Sequence, residues 1–436
     1  MGKPGLLCEG EFDMKTLIKG GRVICPATNT DKVKDIVVMG AEVAHAARND
    51  GDYDRVIDAS GMWVVPGLID MHVHFRQPGQ EHKEDMASGA LSAVAGGFTT
   101  VCTMPNTSPP IDNDELIKFT HQRSAEIGLA NILPICAITK GMKGEELTDI
   151  EAMVAAGAIG ITEDGLTVRN AGVQLKAMEI AAKLNKLTFS HCEDMDLVSG
   201  GVMHLGTASQ RLNLPGIHAL AEEVIIARDI LLAEHTGAAL HVCHITTALG
   251  VQLVREAKAR GVRVTAEVCP HHFTLCDEDI LSDDSNFKMN PPLRSRGDVD
   301  AIIEGLRDGT IDVIATDHAP HHADEKAKGF VSAPFGIVGL ETALGLSMEM
   351  VRKGILTPMG LVEAMSYAPA QILNINKGSL VDGAIADITI INPDAEWTVE
   401  PDKFASKARN TPFAGWALKG AAEYTIVGGR IVFKRR

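Results

Sequence analysis

Two textures of apolar and polar positions alternate along the chain. From Met14 to about Trp63 short apolar runs, TLIKGGRVI, DIVVMG, EVAHAA and YDRVIDAS, are separated by turn-forming residues, the pattern of short β-strands. The same texture returns in ADITIINP, WTVEP and AEYTIVGGRIVFK near the other end. Two β-rich stretches flanking a different middle predict one small β domain assembled from both termini, residues 14–65 and 371–436. Residues 1–13 carry neither period and are set aside as a cloning remnant.

Between about Pro66 and Ala370 a short apolar run followed by a longer amphipathic or alanine-rich stretch repeats eight times, the signature of parallel strands joined by crossover helices. The predicted strands are VVPGLIDM, TTVCTM, ILPICAI, AIGIT, LTFS, AALHVC, VRVTAEV and DVIAT. Stretches such as DMASGALSAVAGG, GIHALAEEVIIARDILLAEHTG and TTALGVQLVREAKARG have helical spacing and stop at glycine, which tolerates the left-handed backbone that ends a helix. Eight such units predict a closed (β/α)₈ TIM-like barrel over residues 66–370, with the termini forming a β-sandwich beside it. An open doubly wound sheet is the competing α/β architecture, but no G-x-G-x-x-G loop follows the first strand.

Composition narrows the function. A formal charge of −16 over 436 residues repels phosphate backbones and anionic lipid, so nucleic-acid and membrane roles are disfavoured. Eight cysteines include no C-x-x-C pair, and a chain this long has no need of disulfide staples, so reduced thiols are expected. No run approaches a membrane span and the start lacks a secretory pattern. A cytoplasmic protein is expected.

In a barrel, functional groups collect where strands end and βα loops begin. The first predicted strand ends in Asp70-Met71-His72-Val73-His74, and a spacing of two on an extended chain puts both imidazoles on one side. HxH alone is weak evidence. The other strand ends change its weight: AIGIT runs into Glu163-Asp164-Gly165, LTFS into His191-Cys192-Glu193-Asp194, AALHVC into His244, and DVIAT into Asp317-His318. Singly, each has an ordinary reading as a packed histidine or a turn aspartate; together they require six coincidences at strand ends. Four histidines and two aspartates suit Zn²⁺ or a similar ion, and six donors can hold two metals with positions left for water and substrate. A binuclear hydrolytic centre is predicted.

His271 and His272 fit neither donor set and stand as structural or orienting residues. His45, His82, His121, His204, His218, His235 and His241 are assigned to surface or packing, and the strand cysteines 102, 136, 192, 243 and 269 to the core. Arg76, two residues past His74, offers a guanidinium fork suited to a carboxylate, while Asn106 and Asn290 can fix the remaining oxygens or an amide. A substrate with a carboxylate near a cyclic amide would fit that pocket.

HVHFRQPG, GGFTTVCTMPNT, EDG, HCED, NPPLR, DHAPH and PFGIVGLE, in this order, resemble the amidohydrolase superfamily and, within it, the class I dihydroorotases. The resemblance implies a barrel with a β-sandwich and two zinc ions per subunit. It further implies reversible hydrolysis of dihydroorotate to N-carbamoyl-L-aspartate in pyrimidine biosynthesis. It puts His72, His74 and Asp317 on one zinc and His191 and His244 on the other, with Asp164 and a hydroxide as bridges. It makes Asp317 the catalytic base and acid, and Arg76, Asn106, Asn290, His321, Phe335 and Gly336 the substrate pocket. A homo-oligomer, taken as a dimer, and association with aspartate transcarbamoylase belong to the same expectation. Many relatives in the superfamily bridge their metals with a carboxylated lysine after strand four, whereas AIGITEDG has none; Asp164 points away from a hydantoinase or allantoinase, the first rival. A non-catalytic scaffold for aspartate transcarbamoylase is the second.

Overall fold

The computed structural model describes residues 14–44 and 52–435. The residues set aside at the start, 1–13, and His45 lie outside them. Eight parallel strands follow one another around a barrel: Leu68–Val73, Phe98–Thr103, Asn131–Pro134 continued by Cys136–Ala137, Gly160–Thr162, Leu187–Ser190, Ala239–Val242, Val264–Val268 and Val313–Ile314. Each pairs with its neighbours in chain order. Closure is made at the rim, where the His74 amide donates to the His318 carbonyl at 2.8 Å, next to a Val73–His318 bridge.

The interior is packed. Ile69, Met71, Cys102, Met104, Ile135, Phe189, Cys243, Val313 and Ala315 form one buried cluster inside the ring, as the inward-facing positions of alternating strands must. Phe189 packs edge-on against His241, ring centres 5.4 Å apart; truncating a buried phenylalanine costs about 3–5 kcal/mol. Outside the ring, helices such as Met86–Ala95, Leu220–Thr236 and Ala248–Ala259 cover the strands. Asp85 caps the first with its side chain and Thr247 caps the third.

The two β-rich stretches meet in two further sheets. One is ordered Glu42–Ala44, Ile36–Met39, Lys15–Lys19, Arg55–Asp58; the other Arg430–Lys434, Ala417–Val427, Ile388–Thr398, Trp63–Pro66, Arg22–Cys25, Thr30–Val33. Ile18, Val23, Ile36, Val38, Val64, Ile388, Ile390 and Ile426 fill the space between them, so neither stretch has a core without the other.

Two predicted strands are divided. VVPGLIDM splits at Gly67: Trp63–Pro66 pairs with Ile388–Ile391 in the terminal sheet and Leu68 opens the barrel. A Cβ at Gly67 would lie 2.2 Å from Thr99 Oγ1, so only glycine passes this junction. ILPICAI changes partner at Ile135, its residues up to Pro134 pairing with the second strand and Cys136 and Ala137 with the fourth; Pro134, lacking an amide hydrogen, sits at the break. Among the described residues no helix is long and apolar enough to cross a membrane.

Candidate metal centre

All six donors converge on one rim of the barrel, and Asp164 stands between the others. Its Oδ2 lies 3.3 Å from His72 Nε2 and 3.4 Å from His74 Nε2. Its Oδ1 lies 3.6 Å from His191 Nδ1 and 3.5 Å from His244 Nε2. Asp317 Oδ1 closes the first side, 3.0 Å from His74 Nε2 and 3.6 Å from His72 Nε2. One carboxylate thus turns one oxygen to each pair of imidazoles.

The chain bends to make this possible. His72 and His74 follow from extended geometry on one strand, but His244 and Asp317 have φ of 32° and 48°, the left-handed region that residues with a Cβ rarely occupy. Strain of roughly 1–3 kcal/mol per such residue is characteristic of functional sites. It turns each side chain inward from a strand end.

The electrostatics call for a cation. All six side chains are buried, and His72 Nε2, Asp164 Oδ1 and His244 Nδ1 have no hydrogen-bond partner. His191 Nδ1 faces His244 Nε2 at 2.9 Å, two ring nitrogens of which only one can carry the shared hydrogen. Burial opposes ionisation of Asp164, yet His72, His191 and His244 hold its carboxyl well below the usual range. For Asp317 burial is outweighed by His74 and His72, leaving a carboxyl of pKa about 2. Both are carboxylates at neutral pH. Nitrogen and oxygen donors so placed, with buried polar atoms of His72 and Asp164 left without a hydrogen-bond partner, fit a metal site of the zinc type.

A surrounding set of groups holds the imidazoles. Glu267 Oε1 accepts from His72 Nδ1 at 2.6 Å, and its other oxygen faces His241 Nε2 at 3.1 Å. Asn106 Oδ1 accepts from His74 Nδ1 at 2.8 Å. Glu193 lies 3.3 Å from His191 Nε2 and receives the Asn290 amide at 3.0 Å. Glu267, in the strand VRVTAEV, was not singled out from the sequence, and His241, assigned to packing, is one of its partners. His271 and His272 are fully buried; His272 Nε2 donates to the Pro291 carbonyl at 2.9 Å.

Beside the donors sits Arg76, buried, its Nε donating to the Pro320 carbonyl at 3.2 Å. No ion pair of Arg76 occurs among the described residues. Burial lowers its pKa to about 10, so it remains a guanidinium at neutral pH. Its Nη2 is 3.4 Å from His321 Nε2, which is 2.8 Å from the Phe335 carbonyl. A carbonyl and a guanidinium cannot both be served by one ring nitrogen, since the first needs a hydrogen and the second a lone pair. The shorter contact assigns the hydrogen to His321 Nε2, which leaves the two Nη groups of the Arg76 fork uncommitted.

Residues 61–249 match the family model described as dihydro-orotase-like. The chain is 54% identical over 425 residues to a dihydroorotase of Pelotomaculum thermopropionicum, covering 97% of this chain and 99% of that protein. It is 48% identical over 424 residues to one of Geobacter metallireducens, covering 97% and 100%. Among solved structures, an L-hydantoinase (dihydropyrimidinase) from Arthrobacter aurescens superposes with a TM-score of 0.84 at 25% identity over 96% of each chain. A dihydropyrimidinase from Brevibacillus agri gives 0.84 at 21% identity over 97% and 95%. The barrel with its β-sandwich is the fold these share, and identity near one half along almost the whole length places the chain in the dihydroorotase family of the amidohydrolase superfamily.

Proposed function

We propose that the chain interconverts dihydroorotate and N-carbamoyl-L-aspartate by opening and closing the ring amide. The observation that carries this reading is the division of Asp164, one oxygen toward His72 and His74 and the other toward His191 and His244, beside a buried Arg76 that forms no ion pair among the described residues. In this reading His72, His74 and Asp317 would hold one zinc ion and His191 and His244 the other, with Asp164 placed to serve both. Two such ions, when bound, supply Lewis acidity and an acidified water at neutral pH.

The chain's own groups do the rest. Arg76 takes the ring carboxylate in its fork, because a buried cation is stabilised by a bidentate anion. Asn106, Asn290, His321 and the backbone at Phe335 and Gly336 orient the ring. Asp317, already ionised, accepts the proton of the attacking water and returns it to the departing ring nitrogen, acting as base and then as acid. On the return path the roles reverse.

Asp164 in place of a lysine and the cation at Arg76 favour this substrate over hydantoin or allantoin, and retention of all six donors argues against a scaffold without activity. Residues 14–65 with 371–436 act as the sandwich domain and 66–370 as the catalytic one. The enzyme works in the cytoplasm as a homo-oligomer, with association with aspartate transcarbamoylase as an added role. Zinc-loaded protein assayed against dihydroorotate, hydantoin and allantoin tests the activity. Turnover confined to dihydroorotate is expected; preference for either of the others, or none for any, would overturn it.

A further inference from the structure

Asn410 lies far along the chain from every residue of the rim, in the segment RNTPFAG that joins the last strands of the sandwich. It is buried. Its Nδ2 donates to the Ala319 carbonyl at 3.0 Å and to the Gly336 carbonyl at 3.0 Å, and its Oδ1 accepts from the His321 amide at 3.2 Å. The Asn410 carbonyl accepts from Val338 N at 2.9 Å. Every hydrogen-bonding atom of the side chain is therefore spent on the segment between the eighth strand and Val338.

A second group grips the same segment from the other side. Lys326, at the end of the short helix Ala323–Lys326, is buried, and its Nζ donates to the carbonyls of Gly336 at 3.0 Å, Pro334 at 3.0 Å and Lys288 at 3.2 Å. Three hydrogens meet three acceptors. Gly336 N returns to the Lys288 carbonyl at 3.0 Å, which ties the segment to the strand of chain leading into Asn290. Gly336 itself has φ of 129°, and a Cβ there would stand 2.7 Å from Ala319 Cβ and 3.2 Å from His321 Nε2. The backbone at this point has no slack.

We propose that Asn410 and Lys326 are positioning residues of the substrate pocket: by holding the Gly336 carbonyl between them, with His321 N on Asn410, they fix the His321 ring on Phe335 and so keep the Arg76 fork open. The inference rests on the reading of Arg76, His321 and Gly336 as groups that meet the ring carboxylate. It makes the sandwich segment a part of substrate recognition. Asparagine suits the task because one planar amide supplies two donors and an acceptor, whereas aspartate would turn a second acceptor toward two carbonyls.

The test compares Asn410→Asp, Asn410→Ala, Lys326→Met and the double variant Asn410→Ala/Lys326→Met with a His321→Asn control, in zinc-loaded full-length enzyme. KM and kcat for dihydroorotate, zinc content and Tm are read for each. A rise in KM of about tenfold or more in Asn410→Asp and Lys326→Met, with zinc content unchanged and kcat less affected than KM, is expected. The double variant should depart from additivity, since both groups act on one carbonyl. A fall in Tm at unchanged KM in the soluble variants would overturn the proposal, as would loss of zinc in step with kcat. If Asn410→Asp is insoluble, Lys326→Met and the milder Asn410→Ala carry the same comparison. An unchanged KM in His321→Asn would instead overturn the pocket reading beneath it, so the two failures are told apart.

Discussion

His72 Nδ1 and Glu267 Oε1 are 2.6 Å apart with both side chains fully buried. Burial alone would keep the Glu267 carboxyl protonated, but His72 and His241 together hold it far below the usual range. The carboxylate therefore keeps a hydrogen on His72 Nδ1 and aims Nε2 at Asp164 and Asp317. Groups that orient a metal-binding histidine this way are worth about 10–100-fold in metal affinity. Glu267→Gln, which keeps the volume and removes the charge, should weaken zinc binding by that order. Competition against a chelator measures it, and an affinity equal to that of the parent would remove Glu267 from this role.

Arg76→Lys retains the charge and loses the fork. A lysine at this depth would bring a compact ammonium with a different reach, and bidentate geometry on a carboxylate would be lost. KM for dihydroorotate should rise by roughly tenfold or more, equivalent to about 1.4 kcal/mol, with zinc content unchanged. The same substitution should leave the affinity for a ring without the carboxylate nearly as it was. Equal loss on both ligands would show that Arg76 supports the rim and does not select the anion.

The barrel and the convergence of six His and Asp side chains on one rim were legible because both rest on short-range rules. Alternation of apolar runs gave eight strands, and period two put His72 and His74 on one side of one of them. What escaped were contacts set by tertiary geometry. The role of Glu267 depends on His72 arriving from 195 positions away, and Asn410 reaches His321 across 89; no local pattern marks either. Likewise Gly67 reads as an unremarkable residue inside an apolar run, until Thr99 of the neighbouring strand takes the space its side chain would need. The left-handed backbone at His244 and Asp317 is also not marked in the letters: Asp and His enter that region more often than most residues, but most residues of both types do not adopt it.

Two buried histidines should contribute a loss of stability on acidification below about pH 6.5. His204, buried and 3.4 Å from Arg294 Nη1, has its pKa lowered to about 4 by burial and by that cation. His271 is lowered to about 4 mainly by burial. An unfolded histidine takes up its proton near pH 6.5. Between about pH 6.5 and 4 the unfolded chain thus binds more protons at these two positions than the folded one, and their contribution to folding free energy declines as pH falls through that window. His204→Gln should flatten the decline, by up to one proton in the slope. Denaturant unfolding at a series of pH values checks this; a slope identical to the parent's would mean that His204 is already charged in the folded state.

Asp317→Asn separates binding of metal from movement of the proton. The backbone at position 317, with φ of 48°, is one that asparagine adopts more readily than most residues, so the fold and the inward aim of the side chain should survive. The amide oxygen remains a donor for a cation, though a weaker one without its charge. What the amide lacks is a basic lone pair with a pKa that can accept a proton from water and give it to the ring nitrogen. General acid–base contributions of this kind amount to about 10²–10⁴-fold. The variant should therefore retain most of its zinc while kcat falls by that factor in both directions, because one group serves ring opening and ring closure alike. Metal analysis with forward and reverse assays decides between the outcomes. Loss of zinc in proportion to activity would make Asp317 a ligand only, and turnover near the parent's would assign the proton to another group.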